Sequence, residues 1–186
     1  LLSALAALPL EDGPSARTIR GLAGLFPHGD TQGKALELAC ADEISGSLTL
    51  NFSVLELDQT GFSAQFDCRF PLCAQEKALL SRLSAALSPL GAEVTDPGLV
   101  PPHCVPEDDP FVQTLLGVYR DYTGQSARCL AIGGGTYVHD IPGGVAFGCC
   151  MPGFNGNMHG ADEHTCIADQ LTAAKIFTQA IIDLCG

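Results

Sequence analysis

Residues 47–70 read SLTLNFSVLELDQTGFSAQFDCRF, and this stretch decides the fold of the first half of the chain. Apolar residues alternate with polar ones in two runs: Leu48, Leu50, Phe52 and Val54, then Phe62, Ala64, Phe66, Cys68 and Phe70. Alternation with a period of two is typical of a strand with one buried face. Between the runs, residues 58–61 (DQTG) are a turn signal. The stretch therefore predicts an antiparallel hairpin.

Helices are predicted on both sides of this hairpin. Apolar spacing and Pro or Gly boundaries place them at 14–26, at 74–88, from Asp109 to near Gly124, and at about 167–185. Short strands are predicted at about 92–95 and, as buried strands, at 128–132 and 144–148. The alternation of strands and helices after residue 100 suggests the edge of an α/β sheet.

A proline-rich segment separates the two halves. Residues 96–110 read DPGLVPPHCVPEDDP, with five prolines in 15 positions. Proline interrupts helices and central strands, so the segment predicts a domain boundary. We expect one domain over residues 1–99 and a second over 100–186.

Composition excludes several classes of partner. The formal net charge is -12, with only 9 Lys and Arg in 186 residues. Because phosphate backbones and anionic lipid surfaces require clustered cations, neither nucleic acid nor membrane is an expected partner. Nine cysteines without Cys-x-x-Cys spacing favour a reduced, cytoplasmic protein. The apolar, helix-like opening at Leu1 predicts that the sequence is a piece of a longer protein.

Three short segments carry residues suited to chemistry. His159, Asp162, Glu163 and His164 lie within six positions, and imidazole and carboxylate are the usual zinc ligands, although a solvated acidic loop is the alternative. The run Gly133–Thr136 could bring backbone N–H groups close to an anion or could be a tight structural turn. Arg69 could grip a carboxylate with two hydrogen bonds or could simply pair with Asp67 on an exposed face.

These segments occur in the same order in a known family. LAIGGGTYVHDIPGGVAFGCCMPGFNGNMHGADEH (130–164) and PPHCVPEDDPFVQTLLGVYRDYTG (101–124) resemble the C-terminal part of carnosinase-like bacterial dipeptidases, members of the dinuclear zinc aminoacylase and carboxypeptidase superfamily. SLTLNFSVLEL (47–57) and FSAQFDCRFP (62–71) resemble the hairpin of that family's lid domain. The resemblance implies an α+β lid domain, present in part, followed by the C-terminal segment of an α/β zinc-peptidase domain.

The resemblance also implies residue roles in a dipeptidase that binds two zinc ions. His159 would be a zinc ligand, and Arg69 would grip the terminal carboxylate of a short peptide. Gly134, Gly135 and Thr136 would line the substrate pocket. His139 occupies a position where the family often has Arg, so it would contact substrate with an altered specificity. His164 stands where an aromatic residue is frequent and would lie near the metal or at the surface.

The resemblance places the family's other zinc ligands and its general base in an N-terminal half, and the Glu-Glu pair expected there does not occur in this sequence. We therefore expect this chain to be inactive alone, to hold zinc weakly or not at all, and to act with an N-terminal half of the same polypeptide. The alternatives are a noncatalytic module that dimerises through the lid or binds peptides, and a degenerate relative that has lost its metal.

Overall fold

The computed structural model describes residues 1–148 and 150–186. Five helices and four strands make up the described regular structure: α1 (Leu2–Ala6), α2 (Pro14–Leu25), β1 (Ala41–Asp42), β2 (Gly46–Ser47), β3 (Thr49–Leu57), β4 (Phe62–Arg69), α3 (Glu76–Leu87), α4 (Pro110–Thr123) and α5 (Ile167–Cys185). Short 3₁₀ turns occur at Lys34–Leu36, Ser88–Leu90 and Tyr137–Asp140. The chain forms two compact units, Leu1–Pro102 with Ala131–Gly133, and His103–Leu130 with Gly134–Gly186.

The predicted hairpin is confirmed as the antiparallel pair β3 and β4. Its register runs from Thr49 opposite Arg69 to Leu57 opposite Phe62. The turn is fixed by Asp58, whose Oδ1 accepts hydrogen bonds from the backbone N–H groups of Thr60 at 2.7 Å and Gly61 at 3.1 Å. A hydrogen bond from the Thr60 hydroxyl, followed by these two backbone bonds, lowers the pKa of Asp58. Along β4, the apolar residues are half-buried and the polar ones exposed, as the alternation requires.

One bulge changes which residues of β3 face the core. The register shifts between Phe52 and Val54, so one extra residue is inserted there. An inserted residue moves every later side chain to the opposite face. The prediction that Val54 faces inward is therefore wrong: Val54 is exposed, and Leu55 packs against the core instead.

Leucine side chains from helices and hairpin form the core of the first unit. Its buried members are Leu2, Leu22, Leu36, Leu38, Leu48, Leu50, Leu83 and Leu87. Leu22 and Leu48 are the most completely enclosed. Burying a leucine side chain contributes roughly 1.5–3 kcal/mol, so this cluster supplies much of the driving force that holds α2 and α3 against the hairpin.

The carboxylate of Asp42 connects the small β1–β2 ribbon to the chain that leaves β4. Asp42 Oδ1 accepts from the N–H groups of Ile44 at 2.9 Å and Ser45 at 2.6 Å. Its Oδ2 accepts from the Ser45 hydroxyl at 2.7 Å and from the N–H of Cys73 at 3.1 Å. These bonds, those of Ser45 foremost, lower the pKa of Asp42 from 3.8 to about 2.

Two long helices dominate the second unit. Asp109 caps α4 by accepting from the N–H of Phe111 at 2.8 Å, Pro110 opens the helix, and Gly124 ends it with a left-handed φ of 66°. Helices α4 and α5 pack on each other. Their buried residues are Val112, Leu115 and Val118 on α4, and Ala173, Ile176 and Ala180 on α5. All four long helices agree with the predicted spans to within two residues.

The predicted strands at 92–95, 128–132 and 144–148 are wrong. None of these segments forms a strand in the described structure, and Leu130 and Ile132 are 72% and 64% exposed. A buried strand needs hydrogen-bonded neighbours and covering layers, and no such neighbour lies among the described residues. Within the same residues, no helix combines the length and apolar character that crossing a bilayer requires.

The lowered pKa of Asp42 predicts a pH dependence of stability. A carboxyl whose pKa is lower in the folded state stabilises the fold above its unfolded value of 3.8, and this contribution disappears as the pH falls toward about 2. Changing Asp42 to Asn should therefore make urea-unfolding midpoints fall less between pH 4 and pH 2 than they do in the wild type. The Glu43→Gln variant, which alters the neighbouring exposed carboxylate, should keep the wild-type decline. An unchanged decline in Asp42→Asn would contradict the assignment.

Candidate functional site

Arg69 lies at the end of β4 and is paired with Asp67 on the same polar face. Its Nε and Nη2 donate to Asp67 Oδ1 at 3.1 Å and Oδ2 at 3.0 Å, which is a two-pronged ion pair. The Arg69 side chain remains 47% exposed. The hydrogen bonds and the charge of Asp67 raise the pKa of Arg69, so the guanidinium stays cationic.

The same guanidinium also holds the first residue of the glycine run. Arg69 Nη1 donates to the carbonyl oxygen of Gly133, 64 positions away in the sequence and within the first unit. A guanidinium has five N–H bonds. The contacts to Asp67 and Gly133 use three, so within the described part of the chain two remain for a ligand.

The glycines of this run are not required by backbone strain. Neither Gly133 nor Gly135 has a left-handed φ. A Cβ added to Gly133 would meet only Arg69 Cδ, at 3.8 Å, and one added to Gly135 would meet no atom within 4 Å. Local geometry therefore does not explain the choice of glycine at these two positions.

Thr136 and His139 are held together by the 3₁₀ turn Tyr137–Asp140. Thr136 caps the turn, with its side chain accepting from the His139 N–H. His139 Nδ1 lies 3.3 Å from the Thr136 nitrogen and 3.1 Å from its carbonyl oxygen, so that ring nitrogen is used locally. The ring of His139 is also 5.7 Å from that of His103, whose Nε2 is 2.6 Å from the Gly144 carbonyl oxygen. The sequence pattern did not single out His103, because 36 positions separate it from His139 and no local motif marks it.

The loop that carries His159 is shaped by left-handed backbone at three residues other than glycine. Asn157, His159 and Asp162 have φ values of 56°, 63° and 57°. The Asn157 side chain donates to the Ala161 carbonyl, and the Asn157 carbonyl accepts from the Gly160 N–H at 2.8 Å. His159 itself is exposed on this loop.

His164 serves a local structural purpose. Its N–H donates to the Gly156 carbonyl at 2.9 Å, its Nδ1 lies 2.9 Å from the Asp162 carbonyl oxygen, and its ring packs edge-on against Phe154. These contacts close the loop at its base. Among the described interactions, the His159 ring has no comparable hydrogen bond or ring contact within this loop.

The described residues do not by themselves make a metal site. No group of three or more His, Cys, Asp or Glu side chains is arranged to hold an ion anywhere in residues 1–148 and 150–186. Zinc sites in proteins use three or four protein ligands. The loop at 159–164 therefore does not fit a complete zinc site, and the assignment of His159 as a ligand stays a prediction.

Comparison with curated proteins identifies relatives along the whole chain. "Putative dipeptidase YtjP" of Bacillus subtilis (strain 168) is 38% identical over 157 residues, which is 84% of this chain and 33% of that protein. Proteins from Staphylococcus aureus strains MRSA252 and USA300, also named putative dipeptidases, are each 28% identical over 186 residues, 100% of this chain and 39% of theirs. No family model matches.

The chain is similar to proteins named dipeptidases. It spans between a third and two fifths of the length of these relatives. The similarity therefore supports a relationship to a dipeptidase family, in agreement with the family that the motifs resemble. The lid domain, the zinc ions and the individual residue roles are not part of what the relatives' names convey.

The loop geometry predicts a strict need for glycine at position 156. A Cβ added there would lie 2.6 Å from the backbone oxygen of His164, which side-chain movement cannot relieve. Gly156→Ala should open the loop base and break the hydrogen bond from the His164 N–H. Amide hydrogen exchange at His164 should accelerate about fivefold or more, since losing one hydrogen bond costs about 1 kcal/mol or more.

Gly148→Ala is the matched control, because a Cβ there meets no atom within 4 Å and φ is not left-handed. Its His164 amide should exchange at the wild-type rate. Unaltered exchange in Gly156→Ala would show that the loop base is not closed as described.

Proposed function

We propose that this chain is part of a zinc-dependent dipeptidase that hydrolyses short peptides with a free C-terminal carboxylate. The observation that carries the proposal is the guanidinium of Arg69, which is cationic, half-exposed, bound to Gly133 and left with two N–H bonds. The similarity of the whole chain to proteins named putative dipeptidases supports the same activity.

Arg69 would select the substrate by its terminal carboxylate. Two N–H bonds on one rigid cation match the two oxygens of a carboxylate, and hydrogen bonds to charged groups contribute about 1.5–3 kcal/mol each. Asp67 would act as a positioning residue, since its two-pronged contact fixes the rotation of the guanidinium. A requirement for a free terminal carboxylate would restrict cleavage to short peptides.

Gly134, Gly135 and Thr136 would contact the substrate backbone, as the family resemblance implies. The open space around Gly135 and the absence of a left-handed φ there support this role rather than a tight structural turn. His139 would contribute its Nε2, because its Nδ1 is engaged with Thr136. A neutral or protonated imidazole with Nε2–H can donate to a carbonyl or carboxylate.

His159 would be one ligand of a two-zinc site whose other ligands, and the general base, lie in the part of the relatives that this chain does not cover. Zinc would supply a Lewis acid for the scissile carbonyl and an activated water. His159 is exposed on a loop that other residues close, which supports a role as one zinc ligand that binds together with ligands from elsewhere in the polypeptide.

Exposed apolar side chains support an association of this chain with further polypeptide. Large ones flank the candidate residues of the second half: Leu130, Ile132, Tyr137, Ile141 and Met158. More lie along α5: Ile167, Leu171, Ile181 and Ile182. Where such side chains are contiguous, they mark a surface that a partner covers. We propose that the remaining polypeptide of the dipeptidase covers them.

The role of Arg69 is tested by its dependence on the substrate carboxylate. In the complete protein, Arg69→Ala should lower kcat/KM for a free-acid dipeptide at least about 10- to 200-fold, since losing even one of the two charged hydrogen bonds costs roughly 1.5–3 kcal/mol. For the same dipeptide with an amidated C-terminus, wild type and variant should be equally slow. Steady-state kinetics on both substrates measures the difference.

Arg20→Ala is the control, because Arg20 forms an exposed ion pair with Asp12 in the same unit. It should leave both rates unchanged. An equal loss on both substrates in Arg69→Ala would assign Arg69 to support of the Gly133 backbone rather than to the carboxylate.

The role of His159 is tested by metal content and activity together. In the complete protein, His159→Ala should remove zinc from at least one site, by elemental analysis, and lower kcat by several orders of magnitude. The circular dichroism spectrum should not change, because the side chain is exposed. Retention of both zinc and activity in His159→Ala would remove this residue from the site.

A further inference from the structure

Three cysteines of the first unit lie close together although the sequence separates them. Cys40 lies near enough to Cys73 and to Cys68 for the thiols to influence each other electrostatically, and the Cys73 N–H donates a hydrogen bond to Asp42, two residues after Cys40. All three are free thiols. Cys40 directly precedes β1, Cys68 lies on β4, and Cys73 follows β4.

The backbone on both sides of the Cys40–Cys73 pair is fixed by hydrogen bonds. The N–H of Cys73 donates to Asp42 Oδ2 at 3.1 Å, and the N–H of Leu72 donates to the Ser45 hydroxyl at 2.8 Å. The Cys40 carbonyl accepts from the N–H of Leu48 at 2.9 Å. The two thiols are therefore held next to each other by a frame that does not depend on them.

We propose that Cys40 and Cys73 form a reversible disulfide when the protein meets a peroxide. In the first step, the thiol of Cys73 reduces hydrogen peroxide, becomes a sulfenic acid and releases one water. In the second step, the sulfur of Cys40 attacks the Cys73 sulfur, loses its proton, and displaces hydroxide, which leaves as a second water. The peroxide gains the two electrons that the two thiols lose.

The exposure of each thiol sets this order. Cys73 is exposed and meets the oxidant first, whereas Cys40 is half-buried. Burial, followed by the charges of Cys73 and Asp42, raises the pKa of Cys40, which lowers the reactivity of Cys40 toward the oxidant. Oxidant-facing cysteines with a resolving partner nearby are the ones that form reversible disulfides.

Cys68 is excluded as the partner by its position. It lies on the inward face of β4, and burial raises the pKa of its thiol to about 11. Its neighbour in the ladder is Leu50, which belongs to the buried core. A disulfide from Cys68 would pull a core-facing side chain out of the hairpin, whereas one between Cys40 and Cys73 links two segments at its edge.

The disulfide would form a covalent loop of residues 40–73, which contains the hairpin and Arg69. In a reducing compartment such bridges are transient and report oxidation. The inference uses only contacts within the first unit and does not depend on the proposed peptidase function.

The experiment is peroxide treatment of the folded full chain, followed by alkylation, proteolysis and mass spectrometry. The expected result is a Cys40–Cys73 linked peptide whose mass is lower by two hydrogen atoms than that of the two free peptides, and which dithiothreitol separates. Cys73→Ser should abolish the link, and Cys104→Ser, which changes an exposed cysteine of the second unit, should preserve it. In Cys40→Ser, the sulfenic acid at Cys73 should persist long enough to be trapped by dimedone.

Two results would overturn the proposal. One is oxidation of Cys73 to sulfinic acid in the wild type while Cys40 remains a free thiol. The other is a disulfide that joins Cys73 to any other cysteine or to a second chain. Because Cys73 is exposed, the Cys73→Ser variant is expected to fold and keeps the test decisive even if Cys40→Ser is unstable.

Discussion

The carboxylate of Asp42 is the constraint that fixes the segment after β4, next to Arg69, in the first unit. It gathers the N–H groups of Ile44, Ser45 and Cys73 and the hydroxyl of Ser45, and Ser45 in turn holds Leu72. The segment that leaves β4 is thereby fixed three residues after Arg69. That anchor adds to the packing of the hairpin on the helices of the leucine core in holding the end of β4. The placement of the candidate carboxylate-binding group therefore rests on a side chain that never touches it.

Local patterns predicted the elements that need only local information. The hairpin follows from alternation over residues 47–70, and α4 follows from Asp109, Pro110 and Gly124, each with its own capping role. The bulge after Phe52 was not predictable, because the apolar residues Val54 and Leu55 are adjacent and either could face inward. The strands expected at 128–132 and 144–148 failed for another reason: apolar runs predict burial, but a strand also requires partners, which a run cannot specify.

In the candidate site too, contacts between neighbouring positions could be predicted from the sequence, and contacts between distant positions could not. The Arg69–Asp67 pair could be predicted because residues two apart on a strand share a face. The contact between Arg69 and Gly133, the pairing of His103 with His139 and the thiol contact between Cys40 and Cys73 each join distant positions, and no motif encodes them. His159 was singled out by its residue type and by family resemblance, whereas its exposed, left-handed setting came only from the structure.

The candidate groups share one physical property that bears on function. Arg69 keeps two N–H bonds beyond its described contacts, His159 is an exposed imidazole on a closed loop, and Tyr137 is 93% exposed beside Thr136. Within each unit, these groups therefore keep donor capacity or surface that the described contacts do not use. These are the properties that the proposed carboxylate-binding role of Arg69 and the proposed metal-binding role of His159 require.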